Sequence, residues 1–375
     1  MAVGNRQSRT RAQPYINLRR RHVGLCCAVD RVNFFRFWQP TPPNRRCWAG
    51  IAVVWLGLTV AACQPHTESL LADYQSRLSR VLHIPVQPLQ KQTLSALPEI
   101  QQLSLHIPTV NIDLLELLAL APCDLEVLVA ERNNSLGKVM ADSSLLQYEL
   151  QLLVKLGNCL NSPHLVAQLP AELQGKLTQI YQQKQQQLAL VLANFLSRDP
   201  TLRQQLGGSQ RGIATEQGGL APTLHAIEQL RQLRRHIAAG DYVAASQINI
   251  NSALGQLYQS QLLADLQHSL RLTATVFNTV NTLLLPISST QLCKVDPTVR
   301  DNLLQQIFIG RVQSELARID GMAQQLLPPL LDLYQHHPLH ASVQQRFAQP
   351  MQDLQQQLRQ HVKFWQRWRQ CPTKH

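Results

Sequence analysis

Apolar residues recur at intervals of three and four along most of this chain, the spacing of one helical face. Leu70, Leu71, Tyr74, Leu78 and Val81 form such a stripe over Thr67 to Leu82. Prolines break the pattern between Pro85 and Pro108, which reads as an extended connection. Asp113 to Ala130 is apolar and reads as two short buried helices interrupted near Pro122. Tyr148, Leu152 and Leu156 mark a helix over Leu145 to Leu160. A longer one runs from Ala171 to Leu196 on Leu173, Leu177, Ile180, Leu188, Val191 and Phe195. Asp199-Pro200 just beyond it reads as a proline stop.

The run Gly207-Gly208-Ser209-Gln210-Arg211-Gly212, followed by Gly218-Gly219, is the clearest break in the pattern. It suggests a flexible linker over 207–222 between two helical halves, 63–206 and 223–375. Thr223 has the chemistry of an N-cap for a helix on Leu224, Ile227, Leu230, Leu233 and Ile237, ending at Gly240. Further helices are expected over Tyr242 to Tyr258, Leu262 to Leu284, Val299 to Leu316 and Val343 to Cys371. Strand signals are scarce, so the predicted class is all-α, a multi-helix fold. Glutamine tracts such as Gln185-Gln186-Gln187 fall at polar helix positions, where glutamine is a good helix former and reads as a solvated face.

Charge changes the picture only at one end. The formal net charge is +12, but residues 1–62 hold ten arginines and one acid, Asp30, leaving +3 for the rest. The basic balance belongs to the leader, and a nucleic-acid partner loses its main support. Asn44-Arg45-Arg46 precedes an apolar run from Ile51 to Ala62. A charged segment, an apolar core and small residues at a cut define an export signal. As a helix this run rises only about 20 Å, short of a bilayer core of roughly 30 Å, so a spanning helix is disfavoured.

The ending Leu58-Thr59-Val60-Ala61-Ala62-Cys63 resembles the bacterial lipobox. That resemblance implies a signal peptide over 44–62, cleavage before Cys63, and a diacylglycerol on its thiol. Gln64 stands where an Asp would retain a lipoprotein in the inner membrane. The implied address is therefore the outer membrane, lipid-anchored and facing the periplasm, with the inner membrane or cell surface as the alternative. Residues 1–43 are long for a signal, and a later start, at a codon such as that of Val32, is the expectation; N-terminal sequencing of an uncleaved Cys63→Ser precursor decides it.

Four cysteines then remain, Cys123, Cys159, Cys293 and Cys371. An even number in an oxidising compartment reads as two disulfides with three possible pairings, against buried free thiols. Pairing Cys123 with Cys159 and Cys293 with Cys371 would tie neighbouring segments within each half. No two of them have C-x-x-C spacing, which disfavours zinc.

The densest polar cluster is Glu131-Arg132-Asn133-Asn134-Ser135-Leu136-Gly137-Lys138, leading to Tyr148-Glu149. Together with the flanking Cys123 and Cys159, and the opening Leu71-Ala72-Asp73-Tyr74 through Leu82, it resembles a family of bacterial lipoproteins catalogued as Domain of Unknown Function 3080. The likeness spans most of the chain after Cys63, and implies a lipoprotein and nothing further, since that family has no assigned activity to carry over. Read from its own residues, Ser135-x-x-Lys138 matches the S-x-x-K of penicillin-recognising enzymes, but the chain has no K-[ST]-G. The plainer reading is a helix–turn region in which Arg132 pairs with an acid such as Glu149 and the asparagines make turn bonds. His336-His337-Pro338-Leu339-His340 near Asp332 offers metal ligands, although Pro338 breaks helical spacing and a polar loop is favoured. Lys363 to Arg369 is basic and aromatic; Phe364, Trp365 and Trp368 share one face and read as packing more readily than as a membrane contact. No phosphate loop, H-E-x-x-H or G-x-S-x-G is present, and no cofactor or metal is expected. Two functional classes follow: a non-enzymatic envelope accessory or scaffold with a protein partner, and an enzyme or ligand carrier whose polar site gathers Arg132, Asn133, Ser135, Lys138, Tyr148 and Glu149. A pocket collecting those side chains would favour the second, and a closed salt-bridged cluster the first.

Overall fold

The computed structural model describes residues 66–88, 94–109, 116, 118–213 and 219–372. The N-terminal extension, the expected signal peptide over 44–62, Cys63 and Gln64 lie outside these residues. Among the described residues the structure is helical, with no strand. The predicted all-α class is what the chain adopts.

Helix α1, His66–Leu82, carries the stripe read from the sequence, and Leu70, Leu71, Tyr74 and Leu78 are buried. The proline-rich connection that follows holds one short helix, α2, Ile100–Leu103. A 3-10 turn, Ala121–Cys123, leads into α3, Glu126–Asn133, and a second 3-10 turn, Gly137–Val139, into α4, Asp142–Leu160. After α5, Pro163–Val166, comes the long α6, Ala171–Arg198. Asp199-Pro200 does not simply stop that helix. The Asp199 carboxylate accepts from the backbone N–H of Thr201 and Leu202, at 2.9 and 3.0 Å, with Pro200 at the first helical position. It therefore starts α7, Pro200–Gly207.

Helix α8 spans Leu220–Ala239, so Thr223 lies inside its first turn rather than at its cap. There its hydroxyl is buried and bonded to Ser260 at 2.7 Å. The helix ends at Gly240, whose φ of +73° is a left-handed cap that favours glycine. Asp241 and Asn249 each cap a new start, so the expected helix over Tyr242 to Tyr258 is two, α9, Tyr242–Gln247, and α10, Ile250–Ser260. Helix α11 is Leu262–Leu284, followed by α12, Ser289–Leu292, and α13, Pro297–Asn302. A π-helical stretch, Leu303–Gln313, runs on into α14, Ser314–Leu333, which extends well past Leu316 and accommodates Pro328 and Pro329. Helix α15, His340–Val343, a π-helical turn, Gln344–Ala348, and α16, Gln349–Arg369, complete the order.

The segment 207–222 does not part the core. One large cluster takes Leu70 and Tyr74 from α1, Leu150 from α4, Phe195 from α6, Leu230 from α8, Phe277 from α11 and Trp368 from α16. A second, smaller cluster is local to residues 120–180. The apolar stripes on both sides of the glycines face each other, so burying them joins the halves. The disulfides are Cys123–Cys159 and Cys293–Cys371, with Cα atoms 5.2 and 5.1 Å apart. The first clips the 3-10 turn before α3 to the end of α4, and the second holds the end of α16 to the turn after α12.

The large core contains a polar knot. The Asn281 amide donates to Gln357, so its Oδ1 is free to accept from His361 Nδ1 at 2.9 Å. His361 Nε2 then accepts from the Tyr74 hydroxyl and from Trp365 Nε1, the latter at 3.2 Å. The ring is fully buried, and desolvation lowers its pKa from 6.5 to about 3. Below pH 6.5 an unfolded His361 takes a proton that the folded one refuses, so stability falls as pH drops through that window. Between pH 6.5 and 5 this histidine is expected to remove about 2 kcal/mol. Denaturant unfolding at both pH values checks it; a His361→Gln variant with an equally steep loss would rule the histidine out as the cause.

Candidate functional site

Helices α4 and α6 pack side by side and support α3, which the Cys123–Cys159 bridge ties back to α4. The extended segment before α3 is held along α6 by side-chain amides. Asn194 bonds both the N–H and C=O of Leu105 at 2.8 Å, and Gln187 donates to the Pro108 carbonyl at 3.1 Å. Between these pieces lies a pocket of about 480 Å³, within the range of small-molecule sites. Its lining mixes polar and apolar groups, with the nearly buried Leu125, Val129, Leu152, Leu156, Leu177 and Ile180 beneath it. They belong to the smaller core, so the pocket opens directly over it.

The rim is charged. Arg132, Lys138, Lys184 and Arg198 face two carboxylates, Asp142 and Glu149. Both acids are engaged: Lys184 Nζ lies 2.7 Å from Glu149, nearly out of solvent, and Arg198 lies 3.1 Å from Asp142. Burial raises the Asp142 carboxyl, against the pull of Arg198. The pairing leaves an excess of positive charge at Arg132 and Lys138. Burial, and next the Glu149 charge, push the Tyr148 hydroxyl above its ordinary value, so it stays protonated and able to donate. A recess with aliphatic side chains at its floor, cations at its rim and a phenolic donor suits an amphipathic anion.

Of the six residues singled out from the sequence, Arg132, Asn133, Lys138, Tyr148 and Glu149 line this pocket. Ser135 does not; it is exposed on the turn, and the S-x-x-K match gathers no supporting site. The expected Arg132–Glu149 pair is replaced. Glu149 reaches Lys184 across to α6, and Arg132 donates to the Gly137 carbonyl. Asn134 makes the turn bond, accepting from Gly137 N–H at 2.7 Å. Gly137 is required there because a Cβ would come within 2.1 Å of the Glu131 carbonyl oxygen. Asp142, Lys184 and Arg198 were not anticipated. A usable signal existed for Lys184 and Glu149, since each occupies an apolar-stripe position on its helix, a costly place for an unpaired charge.

The other sequence candidates are structural. His337 is buried, bonded to Ser197 Oγ at 3.1 Å and to the Ala193 carbonyl at 3.0 Å, and accepts from Leu339 N–H. Asp332 takes Arg231, Arg234 and Arg235 at 3.3, 2.5 and 2.6 Å. Among the described residues no group of three or more His, Cys, Asp or Glu side chains could hold a metal ion. Phe364, Trp365 and Trp368 are buried in the core, with the two indoles stacked at 5.0 Å. A second groove, about 590 Å³ and polar, contains Arg346, which donates to the carbonyls of Ser95, Leu206 and Gly207 and so closes the end of α7. Among the described residues no helix is long and apolar enough to cross a membrane.

Comparison with curated proteins and with solved structures found no match. A family model described as "Protein of unknown function (DUF3080)" matches residues 71–374, from the first helix past the last. Nearly all of the described fold, with the pocket and both disulfides, thus falls inside the match, and the chain belongs to that family of unknown function.

Proposed function

We propose that this protein is an envelope lipoprotein, anchored through Cys63 and exposed to the periplasm at the outer membrane, that carries an amphipathic anionic molecule in the α3–α4–α6 pocket. The sequence alone weighs toward a scaffold. The observation that shifts the weight is the pocket itself: a recess over the smaller core with an excess of cations, lined by five of the six side chains of the polar cluster. A scaffold needs no such recess over its core. Lys184 and Glu149 in its lining are paired with each other, and Ser135 of the S-x-x-K match lies outside it, which favours carriage over catalysis.

Calorimetric titration of dodecanoate into the full chain tests the carrier. Saturable binding is expected, weakened about tenfold or more by Leu145→Trp, which fills the chamber. Binding left unchanged by Leu145→Trp, at an unchanged unfolding midpoint, would sink the assignment. Lipid labelling tests the anchor separately, with label expected on the wild type in the outer membrane and none on Cys63→Ser; label on both would refute it.

A further inference from the structure

The turn that carries Lys138 presents an unusual surface. Leu136 is 78 % exposed and Val139 77 %, the highest values among the exposed large hydrophobic residues described. They flank Lys138, itself exposed, at the mouth of the pocket. The pair is not left outside by looseness. Lys138 N–H donates to the Asn134 carbonyl at 3.2 Å and Val139 N–H to the Leu136 carbonyl at 3.1 Å. The Asn134 side chain and the Arg132 guanidinium grip both sides of the Gly137 backbone. Gly137 lies so close to the end of α3 that no Cβ would fit, which fixes the turn against that helix. Val127 continues the exposed apolar surface along the outward stripe of α3, with Ala130 and Glu131.

We propose that the turn Leu136–Val139 is a membrane-docking tip, with Leu136 and Val139 entering the interface of a bilayer and Lys138 pairing with anionic headgroups. Two aliphatic side chains around a cation match the interfacial pattern, in which apolar groups enter the headgroup boundary and basic groups meet phosphate. A protein partner fits less well, because a stable interface buries about 800 Å² on each side, far more than one four-residue turn offers. Charge complementarity selects an anionic surface. Lys138 and Arg132 favour it, while Glu131 on the neighbouring stripe opposes it at one position. Docking would also place the pocket mouth at the lipid boundary, where an amphiphile could enter tail first. That last consequence alone rests on the carrier reading.

The test places one tryptophan at the tip. Full-length Leu136→Trp protein is reconstituted into vesicles of phosphatidylglycerol or phosphatidylcholine with brominated acyl chains, and fluorescence quenching is read against the wild type. Trp365 and Trp368 are buried, and they, like Trp38, Trp48 and Trp55 before Cys63, are common to every chain compared, so their background is subtracted with the wild type. Val243→Trp, at an exposed position on α9, serves as the control. Strong quenching of Leu136→Trp on phosphatidylglycerol, with little at Val243→Trp, is the expected result. Adding Lys138→Gln should lower the docked-to-undocked ratio about fivefold on that lipid. No quenching at the tip, or equal quenching at both positions, overturns the proposal. Quenching indifferent to lipid charge and to Lys138→Gln overturns the headgroup pairing. Dodecanoate titration of the same preparation without vesicles separates the two ideas: absent binding with intact tip quenching removes the carrier and keeps the tip.

Discussion

Replacing Trp368 by alanine is expected to cost about 3–5 kcal/mol, a large share of the 5–15 kcal/mol that holds a typical domain together. The indole is fully buried, stacks on Trp365 and packs on Phe364 at 5.5 Å. Its Nε1 donates to the Leu292 carbonyl at 3.1 Å, beside the Cys293–Cys371 bridge. Truncation therefore leaves a cavity and removes one of the two donors to the Leu292 carbonyl, the other being Val295 N–H, and the disulfide limits how far α16 can collapse into the gap. Trp368→Phe keeps most of the ring volume and should lose clearly less. Denaturant unfolding measures both; a loss below about 1 kcal/mol for the alanine variant would mean that the aromatic cluster repacks freely.

The second large effect belongs to the pocket. Lys184→Met is expected to destabilise the fold by about 3–5 kcal/mol, because it leaves the Glu149 carboxylate in a nearly dry site without its cation. The same change turns the chamber more negative, so dodecanoate binding should weaken as well. Glu149→Leu combined with Lys184→Met removes both charges and should recover most of the stability, since an apolar pair replaces a buried ion pair at little cost. Unfolding of the two single variants and the double variant completes the cycle. Losses that simply add would show that the pair does not interact.

Much of this fold is legible in the order of residues. The stripes of α1, α4, α6 and α11 are long and regular, and helices built on them follow. The cysteine pairing favoured from chain proximity is the one the structure has. What the pattern hides lies at starts and joins. Asp199-Pro200 looks like a stop, and only the two N–H groups reaching the carboxylate reveal a new helix. Asn249 breaks an otherwise continuous stripe by capping, an event that a count of apolar positions cannot register. The glycines near 210 suggest a division, yet long-range burial overrides local flexibility and runs one core through both sides.

The site was half legible for a similar reason. Arg132, Lys138, Tyr148 and Glu149 are neighbours in sequence and share one wall, so local density exposes them. Lys184 and Arg198 come from α6, and Leu105 to Pro108 from a segment with no pattern of its own. Their meeting is a property of helix packing. The two charges on apolar stripes, Glu149 and Lys184, are the local trace of that packing.

Tyr74 of α1 meets His361 and Trp365 of α16 across 287 and 291 residues of chain. Such distant closure is slow to form, because loop entropy is spent before the contact repays it. Helix α1 packs on α11 and on the Leu303–Gln313 stretch, and α16 adds the partners of Tyr74, so a nascent chain holds its first stripe open through most of synthesis. A chain cut before the Leu303–Gln313 stretch should therefore leave α1 exposed to proteases and chaperones, and quality control of this protein is read late in the chain rather than along it.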